Sequence, residues 1–153
     1  MPEIRPGAGL LDTSVLVDPA GCSKLPSETW ISTLSLAELA AGPHATDDPA
    51  ERARRQHHLQ TIEATYDPLP FDTTCARAYG TVFAATAAQG RKPRGRRAVD
   101  LLIAATAIAN QLPIYTRNPR NLSGLDHLVE IVDASPDLSQ RAPASPTDHP
   151  STE

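Results

Sequence analysis

A chain of 153 residues with a formal net charge of −4 has room for one domain with a substantial core, and its overall charge excludes binding nucleic acid by bulk basicity, so that any grip on phosphates must come from a local cluster. Two cysteines, Cys22 and Cys75, are too few and too far apart for a disulfide scaffold or a zinc site. No apolar run reaches the length of a membrane span, and the acid inside MPEIRPGAGLLDTSVLV breaks the apolar stretch a signal peptide needs, so a cytoplasmic protein with no membrane segment is expected.

Ala8 to Asp12 reads as a strand that ends at an acid, with the cap-forming residues Thr13 and Ser14 next. Asp18 to Glu28, holding Pro19, Gly21 and Pro26, has loop chemistry, and Trp30–Thr33 has the β-branched and aromatic character of a second strand. Leu34–Ala41 predicts a helix stopped by Gly42 and Pro43. A charged helix follows from Pro49 to about Thr65, capped by Asp47 or Asp48, with His57 and His58 expected to face solvent. Tyr66–Leu69 is a short strand candidate, and Asp72 or Thr73 caps a helix running to about Gln89. Trp30 and Phe83 are expected in the core. After the basic loop RKPRGRR comes an almost wholly apolar helix, Ala98–Asn110, then strands at Ile114–Thr116 and Glu130–Val132.

Strands alternating with helices imply an α/β fold with a parallel, twisted sheet flanked by helices on both faces. The low aromatic content, 4% against 40% hydrophobic, leaves Ala, Leu, Val and Ile to build that core. Beyond Asp133 the chain becomes rich in Pro, Ser and Thr. A domain at 8–133 and a disordered tail at 134–153 are therefore expected.

Asp12, Glu38 and Asp100 each sit among apolar neighbours, where acids are not expected. Taken singly, each has a plain structural explanation: Asp12 as a helix N-cap, Glu38 as a solvent-facing residue, Asp100 as a cap or the partner of Arg96 or Arg97. Taken together they are harder to dismiss. The carboxyl ends of parallel strands and the helices that follow them converge on one sheet edge. Three carboxylates gathered there repel by roughly 4 kcal/mol per pair at about 4 Å and an effective dielectric near 20. A divalent cation removes the conflict, and oxygen-only ligands favour magnesium or manganese.

The stretches LLDTSVLVD, STLSLAELAAG and AVDLLIAATAIANQLPIYTRNPRNLSGL, in this order and spacing, resemble the PIN domain, and within it the VapC-type toxins, over about Leu10 to Val132. The resemblance implies a PIN-like three-layer sandwich and magnesium or manganese held by Asp12, Glu38 and Asp100. It implies cleavage of RNA, whether tRNA, rRNA or mRNA, and inhibition by a VapB-type antitoxin encoded alongside. Ser14 matches a polar residue beside the metal, and Thr116 and Asn118 match a small polar motif after a strand. Where many relatives carry a fourth acid, this chain has Asn118 and Asn121. An amide offers a carbonyl oxygen but no charge, which keeps open a catalytically silent RNA-binding or antitoxin-binding module.

Arg91, Lys92, Arg94, Arg96 and Arg97 precede the helix that carries Asp100. They read as a phosphate-gripping edge for RNA or as a solvated connector. Arg117 and Arg120 form a smaller basic pair near the expected site, which reads equally as a substrate contact, with Arg117 a further candidate for RNA contact, or as part of a surface helix. The helices between Pro49 and Gln89 are candidates to clasp an antitoxin or a second copy of the chain in a homodimer, and their Ala-rich pattern fits internal packing equally well. An Asp-x-Asp phosphatase is disfavoured because Ser14 replaces its second acid, and a phosphorelay receiver because no Lys follows Lys92.

Overall fold

The computed structural model describes residues 7–138. Its elements are β1 (Ala8–Leu11), α1 (Thr13–Leu16), β2 (Glu28–Trp30), α2 (Thr33–Ala41), α3 (Pro49–Thr65), α4 (Thr73–Ala88), α5 (Arg96–Ala109), β3 (Ile114–Thr116) and β4 (Ile131–Asp133). Short 3-10 turns lie at Pro19–Gly21, Gly42–Ala45 and Pro119–Leu122. The four strands form one sheet in the order β2-β1-β3-β4. Every pairing is parallel, and Leu10 stands opposite both Trp30 and Ile114.

Consecutive side chains of a strand point to opposite faces, and β1 uses this to divide the core. Leu10 packs with Val82, Leu101, Ile103 and Ile114 under α4 and α5. Its neighbour Leu11 packs with Val15, Leu16, Ile31, Leu39, Leu59 and Ile62 under α1, α2 and α3. The result is the expected parallel sheet with a helical layer on each face. On α5 the buried residues include Ala104, Ala105 and Ala107, whose small side chains let α4 approach closely.

Several sequence expectations shift. The second strand ends at Trp30, before Thr33, because the Ser32 hydroxyl accepts from Ser35 N at 3.1 Å and starts α2 instead. Tyr66–Leu69 contributes only a parallel bridge between Leu69 and Ser32. Pro68 and Pro70 flank it and have no N–H to extend a ladder. Phe83, expected in the core, is 47% exposed. The inward stripe of α4 runs through Cys75, Tyr79, Val82 and Thr86, and Phe83 lies a step round the helix from it, its ring 6.3 Å from that of Tyr79. His57 is exposed as expected, but His58 is half-buried, its Nε2 2.8 Å from the Leu16 carbonyl.

Of the expected tail, Ala134 is buried, and its N–H donates to Thr116 O at 2.8 Å. Residues 139–153 lie outside the described residues. Among the described residues no helix is long and apolar enough to cross a membrane.

Candidate functional site

Asp12 follows β1 directly and caps α1. Its backbone is extended, its N–H donates to Tyr115 O, and its Oδ1 accepts from Val15 N at 3.3 Å. The plain capping explanation therefore holds at Asp12, and the carboxylate nevertheless lies where the central strand meets the cluster. It is buried, at 4% exposure. Desolvation pushes its pKa up, against hydrogen bonds from Ser14, Thr116 and the Val15 amide that favour the charged form.

Ser14 links two parts of the site. Its Oγ donates to Asp12 Oδ1 at 2.5 Å and accepts from Arg117 N at 2.9 Å. The segment after β3 is thereby tied to the end of β1. Thr116 is buried at the tip of β3, and its Oγ1 accepts from Asn118 N at 3.0 Å.

Glu38 is half-buried on α2. Its Oε1 accepts from Thr13 Oγ1 at 2.5 Å, and Thr13 Oγ1 is also 3.0 Å from Ser35 Oγ. Asp100, half-buried in the first turns of α5, accepts from Asn121 Nδ2 at 2.8 Å. Its pKa is pushed up to about 6, chiefly by burial and further by the charges of Asp12 and Glu38, while the Asn121 bond and the field of Arg96 pull the other way. Asp100 thus feels the charge of both other acids.

A cavity of about 420 Å³ joins these elements. Glu38, Asp100, Ser14, Asn118 and Arg96 are on its wall. Asp12 is not, and adjoins it through Ser14. As placed, the carboxylates do not close on a common point: Asp12 Oδ1 is held by Ser14 and Val15, and Glu38 Oε1 by Thr13. Among the described residues no three His, Cys, Asp or Glu side chains form a ready metal cluster. The donor chemistry nevertheless fits a hard divalent ion. The donors are all oxygen, and Asp100 stays raised despite the field of Arg96.

The basic loop is only partly at the site. Arg96 lines the cavity. Arg91 Nη1 donates to Arg120 O at 2.9 Å, Lys92 and Arg94 are exposed, and Arg97 is half-buried with its Nε shielded from solvent and unpartnered. Arg117 Nη1 pairs with Asp18 Oδ2 at 3.2 Å. Sequence reasoning missed Arg54, Arg55 and His58 of α3, which also line the cavity. The available signal was the i, i+3, i+4, i+7 spacing of Arg55, His58, Leu59 and Ile62, which places two polar residues on the helix's inward stripe.

Three carboxylates at the carboxyl edge of a four-stranded parallel sheet, covered by helices on both faces, define an α/β domain with an acidic edge site. The sequence model of the PIN domain matches residues 10–128. Over 103 residues the chain is 33% identical to the plasmid stability protein StbB of Pseudomonas syringae pv. tomato, covering 63% of this chain and 71% of that one. Among solved structures it is similar to VapBC-5, a member of the VapBC family of toxin–antitoxin systems from Mycobacterium tuberculosis, with 33% identity, a TM-score of 0.67 and coverage of 83% of this chain and 98% of the other. FitAcB from Neisseria gonorrhoeae shares the fold, at 24% identity and a TM-score of 0.64 over 80% of this chain and 95% of that one. The chain belongs to the PIN-domain family.

Proposed function

We propose that the protein is a magnesium- or manganese-dependent endoribonuclease and the toxin of a toxin–antitoxin pair. The observation that carries this reading is the cavity shared by Glu38 and Asp100, with Asp12 buried beside it at the end of the central strand. Asp12, Glu38 and Asp100 would hold the ion. A divalent ion held there would polarise a phosphate oxygen and lower the pKa of an attacking water. Ser14 fixes the Asp12 carboxylate, Asn121 fixes Asp100, and Thr116 holds the backbone that brings Asn118 to the cavity wall. Asn118 and Asn121 supply amides where a fourth acid would add charge, so the site binds its ion less tightly than a four-acid site. The products are a 3′-hydroxyl and a 5′-phosphate.

VapBC-5 is a toxin–antitoxin system, and the corresponding partner of this chain is a VapB-type antitoxin, with a second copy of the chain completing a homodimer. Both cysteines are free thiols, in keeping with work in the cytoplasm. The test is cleavage of total RNA by purified protein. Magnesium should switch cleavage on, EDTA should switch it off, and Asp100→Asn should abolish it while the protein stays folded. A folded wild-type protein that binds RNA but never cuts it would make the chain a silent binding module instead.

A further inference from the structure

The wall of the cavity facing α3 carries charge that the proposed cleavage chemistry does not use. Arg54 Nε and Nη2 reach Glu51 Oε2 and Oε1 at 2.9 and 2.6 Å, and Arg55 Nε reaches the same Oε1 at 2.9 Å. Two guanidinium groups therefore share one carboxylate. The hydrogen bonds from Arg54 and Arg55 pull Glu51 down to a pKa of about 2, so it remains ionised at neutral pH and the trio carries one net positive charge. Arg55 is fixed a second time, through Nη1 to the Gly42 carbonyl at 2.9 Å. Arg54 is 65% exposed.

Both arginines wall the cavity that Glu38 and Asp100 also wall, and Arg96 stands on it as well. Cations from α3 and from α5 therefore line the same cavity as the acids, whose own charge a bound divalent ion would offset. They suit a strand with repeating phosphates, one of which is held at the rim while a neighbour lies over the acids. A guanidinium carries five N–H donors, and those that Glu51 and the Gly42 carbonyl leave over can make charge-assisted hydrogen bonds to phosphate oxygens.

We infer that Arg54 and Arg55 form a binding site for a backbone phosphate of single-stranded RNA that flanks the phosphate to be cut, with Glu51 holding the two guanidinium groups in place and moderating their charge. This rests on the nuclease reading of the same cavity. The RNA path then runs from the α3 rim across the acids toward Arg96, and the loop at Arg91, Lys92 and Arg94 lies away from it.

The test is binding of a fluorescent, mixed-sequence single-stranded RNA to the full chain in EDTA, followed by anisotropy as salt is raised. Arg54→Gln should weaken binding roughly tenfold and flatten the slope of log K against log salt by roughly 0.7, the loss of one phosphate contact on a single strand. Glu51→Gln, which releases both arginines from their carboxylate, should tighten binding and steepen the slope. A merely structural role for the trio predicts no gain from Glu51→Gln. Wild-type slopes in both variants, with melting temperatures showing both folded, overturn the inference. So does an unchanged RNA slope in Arg54→Gln accompanied by loss of binding to an oligoglutamate probe, which would make the rim a peptide site. Magnesium-dependent cleavage with unaltered slopes would sink this site and leave the nuclease reading standing; altered slopes in a protein that never cuts RNA would do the reverse.

Discussion

The Ser14 hydroxyl donates to Asp12 and at the same time accepts from the Arg117 amide, so one side chain locks the end of β1 to the segment after β3. Asp12 is the deepest of the three acids, and its carboxylate orientation depends on that lock. Ser14→Ala leaves the Arg117 amide without this acceptor and takes from Asp12 Oδ1 one of its two donors. The cost should be about 1–3 kcal/mol of folding stability. Magnesium affinity should fall about 10- to 100-fold, the usual effect of losing a group that orients a ligand. Thermal melts with and without magnesium separate the two effects, and an unchanged magnesium response would remove Ser14 from the site.

Asp100 gives a pH dependence of definite sign. Its carboxyl is raised from 3.8 to about 6 in the folded protein, so between those values the folded state holds a proton that the unfolded state has released. Stability contributed by this group is greatest at low pH and falls as pH rises through that window, leaving the penalty fully present at pH 7. Asp100→Asn removes the charge while its amide oxygen can still accept from Asn121. In EDTA at pH 7 the variant should melt higher than wild type by a few degrees, on the order of 1–2 kcal/mol once partial solvent screening is allowed for. The difference should vanish near pH 4. A variant that melts lower than wild type at pH 7 would mean that Asp100 is already well compensated.

Metal removal supplies the complementary measurement. An ion that binds only the native state stabilises it by about 2.7 kcal/mol at a hundredfold excess over its dissociation constant. Millimolar magnesium should therefore raise the melting temperature of the wild-type protein and leave that of Asp100→Asn nearly unmoved. A response equal in both proteins would place the ion elsewhere on the chain.

The positions of the three acids were legible in the chain because their signals are local. An acid at the end of an apolar run, an acid on the short helix after a strand and an acid in an otherwise apolar helix each betray themselves within a few residues. The alternation of strands and helices likewise gave the parallel sheet, and Asp48 and Asp72 cap α3 and α4 as expected. What was hidden depends on tertiary placement. Of the five cations close together in sequence at Arg91 to Arg97 only Arg96 lines the cavity, while Arg91 bonds to the Arg120 carbonyl, Lys92 and Arg94 are exposed and Arg97 is half-buried. The α3 arginines lie more than forty residues before Asp100 in the chain, and only the packing of α3 against α2 brings them to the same wall. Phe83 was misplaced for a simpler reason: an apolar residue on an amphipathic helix need not lie on its buried stripe.

His58 offers a test of how α3 is held in position. Its Nε2 lies 2.8 Å from the Leu16 carbonyl at the end of α1, where a short helix leaves carbonyls without internal partners. His58→Ala removes this donor and opens space on the cavity wall, and should cost about 1–2 kcal/mol. His58→Gln restores a donor of similar reach and should recover most of that loss. Because the contact joins α3 to α1 and does not touch the acids, magnesium-dependent stabilisation should survive both changes. Loss of the magnesium response in His58→Gln, in a protein that still melts like wild type, would show that the imidazole serves the acidic centre directly and not the seating of α3.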